Sequence, residues 1–325
     1  MDYISKNSSD IFMSPSSNSE EAQTLLNRLV HDFMRQQRHQ RFWLWIKRLI
    51  YITLIIVLAY NTIIAKFEDT KLSSKPHIGL IDLKGEIGEN NTTNSDFFSK
   101  SLNNAYKNQM MKALIIRINS PGGSPVQADY MYNSLKFFQQ KYPKTKVYAV
   151  CVDTCASAAY YVASAADEIY ANPSSIVGSI GVIYDGFGFN DLMQKVGVTR
   201  RMVTSGKNKG FLDPFSPESD AQKIFLQKML AQIHEVFISK VKAGRGSRLK
   251  INDDTFSGLA WTGMEAKQMG LIDGFASSGE LMRNTIKIED AVDYTEKMSV
   301  IEQVSKNVGA SSRLILQAFN PYHLG

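Results

Sequence analysis

Short apolar runs alternate with amphipathic stretches between residues 78 and 275. The run at 113–118 is rich in isoleucine and predicts a buried strand, whereas residues 126–140 place Met131, Leu135 and Phe138 on one helical face. Strands that alternate with helices indicate an α/β domain with a largely parallel sheet. Further strands are predicted at 78–87, 146–150, 168–171 and 179–183, and further helices at 156–166, 220–241 and 264–269.

An uncharged hydrophobic run at residues 49–65 precedes this domain. At about 1.5 Å per residue it is just long enough for a bilayer core of about 30 Å. Lys66, Glu68 and Asp69 follow the run, whereas the charged residues at 33–48 directly before it are all basic: Arg35, Arg38, Arg41, Lys47 and Arg48. The positive-inside rule therefore predicts a single-pass anchor with a cytoplasmic N-terminus, and a signal peptide or a buried core helix is the alternative.

These patterns divide the chain into predicted segments. The domain at 78–284 is expected outside the cytoplasm, on the periplasmic side of the inner (plasma) membrane. The remaining segments are a partly disordered cytoplasmic tail with an amphipathic helix at 1–48, the transmembrane helix at 49–65, a stalk at 66–77 and a C-terminal helical extension at 285–325.

The composition is that of a folded protein. Of 325 residues, 44% are hydrophobic and 21% are charged, which excludes a disordered chain. The 21 glycines show no period, which excludes a collagen-like protein. Cys151 and Cys155 are the 2 cysteines, too few for a disulfide scaffold, and we interpret them as buried small residues. Much of the net charge of +6 lies in the short N-terminal block, so a nucleic-acid partner is not predicted.

Two strand ends carry residues that suggest chemistry. The sequence S-P-G-G at 120–123 follows a buried strand, and its glycines allow backbone N–H groups to face a cavity, as an oxyanion hole requires. A plain tight turn fits the same residues. In T-C-A-S-A-A-Y at 154–160, Ser157 would stand at the first turn of a helix among small neighbours. A serine nucleophile needs a base, and without one an N-cap serine explains the pattern equally well.

The choice of base is restricted because no histidine lies between His77 and His234. His234 falls on a long amphipathic helix, where a solvated histidine is the simplest interpretation. A lysine acts as a base only when it is neutral, and lowering a lysine pKa from about 10.4 to about 7.5 by burial corresponds to about 4 kcal/mol. Lys209, next to an apolar stretch, is a better candidate than Lys207, although a solvated loop charge is the alternative for both.

The residues from 78 to about 275 resemble the signal peptide peptidase A family, also called protease IV, which comprises membrane-anchored serine peptidases with a Ser-Lys dyad. This resemblance implies the crotonase-like ββα spiral fold that the Clp proteolytic subunit shares. The Clp relative uses a Ser-His-Asp triad, and this sequence lacks the required histidine. The resemblance rests on N-S-P-G-G at 119–123, C-A-S-A-A-Y-Y at 155–161, A-D-E-I-Y-A-N-P at 166–173, G-S-I-G-V-I at 178–183 and S-G-K-N-K at 205–209.

The same resemblance implies roles for individual residues. Ser157 would be the nucleophile, Lys209 the general base and Ser179 the residue that orients the lysine. Gly123 and Ala158 would supply the oxyanion-hole N–H groups. Family members often carry A-S-G-G where this chain has A-S-A-A at 156–159. The two additional methyl groups should narrow the site slightly and leave both N–H groups in place.

The resemblance also implies partners. No metal or cofactor is expected, and the expected substrates are extended hydrophobic peptides such as signal peptides in the membrane lipid. The chain has one copy of the motifs, which implies a homo-oligomer whose serine and lysine come from neighbouring subunits. Alternatives are a catalytically silent crotonase-like scaffold that binds peptides, a stomatin-partner protease and an acyl-CoA hydratase. The scaffold is disfavoured by the presence of Ser157, Ser179 and Lys209, and the hydratase by the external placement.

Overall fold

The computed structural model describes residues 26–31, 34–35, 38, 41–57, 60 and 74–297. The chain divides into two compact units, Met1–Glu68 and Asp69–Gly325. In the first unit, residues 41–57 are helical. None of the helices within the described ranges combines the length and the apolar character needed to cross a membrane. The expected tail, membrane helix and stalk lie partly outside those ranges, and they stay predictions.

The second unit alternates strands and helices, as the hydrophobic pattern predicts. Its strands are β1 (His77–Lys84), β2 (Met111–Ser120), β3 (Lys146–Ala156), β4 (Glu168–Ala171), β5 (Ile176–Gly178), β6 (Ala260–Thr262), β7 (Gly274–Phe275) and β8 (Ala291–Asp293). Its α-helices are α1 (Ser95–Lys107), α2 (Pro125–Lys141), α3 (Ala158–Ala163), α4 (Asn190–Lys195), α5 (Asp220–Arg245), α6 (Gly263–Gln268) and α7 (Ser278–Glu280). A 3₁₀ turn at Gly246–Arg248 and a π turn at Leu281–Ile286 follow α5 and α7.

The strands form a mainly parallel sheet in the order β6-β5-β3-β2-β1-β8, with β4 paired to β3 and to β7. The exception is the antiparallel pair of β5 and β6. Strand β3 has two partners on one side: its residues 148–151 pair with β4 and its residues 154–156 pair with β5. The register between β2 and β3 shifts at the same level. The carboxyl end of β3 therefore leaves its β4 neighbour and ends beside β5.

Both faces of this sheet are buried. On β2, Leu114, Ile116 and Ile118 belong to the main core, whereas Ala113 and Ile115 belong to a second cluster on the other side. This burial on both faces explains why the strand reads as a continuous apolar run.

Several predicted elements need correction. The strand predicted at 179–183 is wrong: β5 ends at Gly178, and Ser179 has a φ of 51°, which takes the chain out of the sheet. The helix predicted at 156–166 is shorter because β3 extends to Ala156. Helix α1 was not predicted, although Asn94 caps it and its buried residues include Phe98, Leu102 and Ala105.

A buried ion pair fixes the end of the long helix α5. The Arg245 guanidinium is inaccessible to solvent and donates two hydrogen bonds to Asp273, at 2.8 and 2.9 Å. Its Nε donates to the carbonyl of Gly270 at 2.9 Å. Bidentate pairs of this kind restrict geometry more strongly than single contacts. They anchor the helix that contributes Ile233, His234 and Phe237 to the cavity described below.

The sheet continues beyond the predicted domain end at residue 284. Strand β8 pairs with β1 in parallel, with Ile78 opposite Ala291. Residues 298–325 of the predicted C-terminal helical extension lie outside the described residues.

Candidate active site

Ser157 joins the carboxyl end of β3 to the first turn of α3. Its φ of 53° and ψ of −126° form a conformation that non-glycine residues seldom adopt. The Ser157 N–H donates to the carbonyl of Gly178 at 2.8 Å, which holds the residue against β5. Its side chain makes no capping hydrogen bond, so the N-cap explanation does not apply. Strained backbone at a strand-to-helix turn is typical of nucleophiles, because it presents the hydroxyl outside the sheet.

Gly122 lies directly against this serine. A Cβ atom added to Gly122 would come 2.7 Å from the Cβ of Ser157 and 3.1 Å from the backbone nitrogen of Ala158, and the φ of Gly122 is +112°. At Gly123, with a φ of +137°, an added Cβ would overlap the carbonyl oxygen of Ile87. The Ile87 N–H donates to the carbonyl of Gly122 at 2.8 Å and closes the turn. The turn therefore requires glycine at both positions.

Two backbone N–H groups beside the serine lack acceptors. Within residues 74–297, no hydrogen bond uses the N–H of Gly123 or that of Ala158. In the β-bridge between Gly123 and Ile87, the hydrogen bonds are made by the Gly122 carbonyl and the Ser124 N–H, so the Gly123 N–H is not used. Ala158 stands in the first turn of α3, where helical N–H groups have no acceptor within the helix. Unpaired N–H groups beside a hydroxyl can stabilise an oxyanion.

A cavity of about 710 Å³ opens over Ser157. Gly123, Ala158 and Ser179 also line it. Much of the remaining wall is apolar or aromatic and includes Tyr161, Val182, Ile183, Ile233 and Phe237. The structure thus brings together four of the site residues expected from the sequence around a space that suits an apolar peptide.

Lys209 stands apart from these residues in the single chain. It lies on an exposed turn, where its N–H donates to the carbonyl of Gly206 at 3.0 Å, and it does not line the cavity. Ser179 is half-buried and strained, and its N–H donates to the carbonyl of Leu259 at 2.8 Å. The catalytic roles of both residues stay predictions.

His234 reaches the cavity, contrary to the solvated position expected from the sequence. It is half-buried on α5, and its Nε2–H donates to the carbonyl of Ile180 at 2.9 Å. The segment after Ser179 is thereby fastened to the long helix. No local sequence signal predicts this contact, because 54 positions separate the two residues.

Tyr161 forms another part of the wall that the motif alone does not explain. Its hydroxyl donates to Asp129 at 2.8 Å, and its ring stacks on Phe237 with centroids 4.8 Å apart. Burial and the bond to Asp129 raise the pKa of Tyr161 above its ordinary value, so the phenol remains neutral. The tyrosine therefore presents an uncharged ring to the cavity.

Cys155, two residues before Ser157, is not a competing nucleophile. It is fully buried, and this burial raises the pKa of its thiol well above the ordinary value. A protonated, buried thiol is chemically inert. Cys151 and Cys155 are both free and buried, which confirms their interpretation as small core residues.

Replacement of Gly122 by alanine should lower peptide hydrolysis about 100-fold, because the new methyl group must displace Ser157 and small displacements of reacting groups have effects of this size. The measurement is kcat/KM on a fluorogenic peptide, with thermal unfolding as the check on folding. Gly197→Ala is the control, since Gly197 also has a positive φ, of +71°, but open space around an added Cβ. A folded Gly122→Ala variant with wild-type kcat/KM would contradict the close approach described here.

Several of the family models and known proteins that match this chain are peptidases. Residues 139–292 match the model of peptidase family S49, and residues 79–177 match that of Clp protease. The chain is 32% identical over 166 residues to the chloroplastic serine protease SPPA of Arabidopsis thaliana, covering 50% of this chain and 24% of that protein. It is 28% identical over 227 residues to Protease 4 of Haemophilus influenzae, covering 69% of this chain and 36% of that protein.

Another matching protein is named as an antiporter and not as a peptidase. The chain is 45% identical over 184 residues to the Na⁺/H⁺ antiporter NhaA of Brucella abortus, covering 57% of this chain and 25% of the antiporter. The chain thus spans a quarter of that relative's length. Among solved structures, the 1510-N membrane-bound stomatin-specific protease aligns at 18% identity with a TM-score of 0.43, covering 69% of this chain and 95% of that one.

Proposed function

We propose that this chain, whose residues 139–292 match the model of peptidase family S49, is a serine endopeptidase with Ser157 as nucleophile and Lys209 as general base. The observation that supports this most strongly is the strained Ser157 at a cavity where the Gly123 and Ala158 N–H groups have no acceptor among residues 74–297.

The proposed chemistry uses only amino-acid side chains and backbone groups, without a metal or cofactor. Neutral Lys209 takes the hydroxyl proton of Ser157 while the oxygen attacks a peptide carbonyl carbon. The resulting oxyanion accepts hydrogen bonds from the N–H groups of Gly123 and Ala158. The protonated lysine, oriented by Ser179, then gives its proton to the leaving amine. Water deprotonated by Lys209 hydrolyses the acyl-enzyme and restores the serine.

In this proposal Lys209 acts on the serine of a neighbouring copy of the chain. Large apolar side chains on the surrounding segments support such an assembly: Ile183 is 87% exposed, Phe187 76% and Val203 98%. Large contiguous apolar patches on a protein surface often mark an interface. Contact with a second copy would also remove water from the lysine and favour its neutral form.

The proposed substrates are extended hydrophobic peptides, such as cleaved signal peptides, because apolar and aromatic side chains form much of the cavity wall. In this proposal the run at 49–65 anchors the chain in the inner membrane, with the peptidase domain on the outer, periplasmic side. The basic residues before the run support this orientation. Digestion would then take place next to the lipid from which such peptides are released.

The proposal is tested by labelling the detergent-purified full chain with a peptidyl phosphonate, which modifies activated serines. We expect one label per active site, located at Ser157 by mass spectrometry, and parallel loss of hydrolysis of a hydrophobic fluorogenic peptide. Prior incubation with excess peptide should slow the labelling. An unlabelled Ser157 in a preparation that hydrolyses peptides would refute the assigned nucleophile, and a chain that binds peptides without hydrolysis would be a silent scaffold.

A further inference from the structure

Glu86 is the only aspartate, glutamate, lysine or arginine among the described residues that line the Ser157 cavity. It is exposed, and within residues 74–297 its carboxylate makes no hydrogen bond or ion pair. Lys84, a nearby base, pairs with Asp82 at 2.7 Å instead. The carboxylate is therefore available to a bound molecule.

The backbone around Glu86 is fixed to the turn that faces the serine. On one side, the Gly85 N–H donates to the carbonyl of Asn119 at 3.0 Å. On the other side, the Ile87 N–H donates to Gly122 at 2.8 Å, and the Ser124 N–H donates to Ile87 at 2.9 Å. These bonds fix the backbone of Glu86 relative to the S-P-G-G turn, so its side chain extends from a defined point of the cavity wall.

A peptide in this cavity would contact apolar side chains and one negative charge. We infer that Glu86 makes the site selective for peptides that carry a basic side chain next to an apolar segment. This inference rests on the proposed function and specifies its substrate class. Secretory signal peptides have this arrangement, with a basic stretch that precedes an apolar one.

The expected selectivity is about fivefold, because the carboxylate is exposed and solvent screens exposed ion pairs. The test uses fluorogenic apolar peptides that differ only in one lysine or glutamine, placed at successive positions on either side of the scissile bond. For the wild-type chain, we expect higher kcat/KM for the lysine peptide at one or more adjacent positions. Glu86→Gln should abolish this preference and Glu86→Lys should reverse it, whereas high salt should weaken it.

Glu89→Gln is the matched control, since Glu89 is an exposed carboxylate of the same loop that does not line the cavity. It should retain the preference. The inference is overturned by a wild-type chain that does not distinguish the peptides, or by a Glu86→Gln variant that still does. Binding of the same peptides to the Ser157→Ala chain, measured by fluorescence anisotropy, separates the two proposals. Lysine-dependent binding without hydrolysis in the wild type would reject the peptidase and retain the role of Glu86.

Discussion

Replacement of Ser157 by alanine should lower peptide hydrolysis by at least about 10⁴-fold, since loss of a nucleophile removes the covalent pathway and leaves only binding and oxyanion stabilisation. The measurement is kcat on a hydrophobic fluorogenic peptide with the full chain in detergent. KM should change little, because the lost interaction belongs to the reaction step and not to substrate binding.

The serine substitution has a matched control on the same molecule. Ser239→Ala removes an exposed hydroxyl on α5, which donates to the carbonyl of Val236 at 2.7 Å. We expect this variant to retain the wild-type rate. If Ser157→Ala hydrolyses peptides as fast as the control variant, the nucleophile must be another residue.

Replacement of Lys209 by alanine should lower kcat about 10³-fold, because general-base catalysis typically contributes a factor of this order. Lys207→Ala is the matched control, as Lys207 lies on the same exposed turn. The Lys207→Ala variant should keep its activity. An inactive Lys207→Ala variant beside an active Lys209→Ala variant would assign the base to Lys207. Neither substitution should alter thermal unfolding, since both side chains are exposed in the single chain.

A mixture of two inactive chains tests whether subunits share the site. When Ser157→Ala and Lys209→Ala chains are co-expressed with different tags and purified through both, some sites combine an intact serine with an intact lysine from the neighbour. Random assembly should restore roughly a quarter of the wild-type rate. Of the four possible pairings of neighbouring chains at a site, only one supplies both an intact Ser157 and an intact Lys209. Mixed particles without activity would place both groups of a site in one chain.

Much of the architecture follows from local sequence patterns. Buried strands such as β2 read as continuous apolar runs, and the amphipathic stretch at 126–140 corresponds to helix α2. The strand at 179–183 was misassigned because its apolar residues fit a strand, whereas the positive φ of Ser179 is not encoded in hydrophobicity. Helix α1 was missed even though its buried positions follow a helical period.

The candidate site shows the same division between motif and geometry. The S-P-G-G and C-A-S-A-A-Y-Y motifs indicate where Gly123, Ser157 and Ala158 lie in the chain. They do not show that Gly122 touches Ser157, that His234 fastens the segment after Ser179, or that Glu86 brings a charge to the cavity. Each of these facts depends on contacts between residues far apart in sequence.

The sequence by itself determined the order of most strands and helices and the positions of the motifs that resemble a serine peptidase family. Only the tertiary structure decided which of those residues meet: it gathers Gly123, Ser157, Ala158 and Ser179 around one cavity and leaves Lys209 on an exposed turn. The physical reason is that periodicity and turn propensity act over a few neighbouring residues. The split pairing of β3 and the strained backbone at Ser157 result instead from packing across the whole sheet.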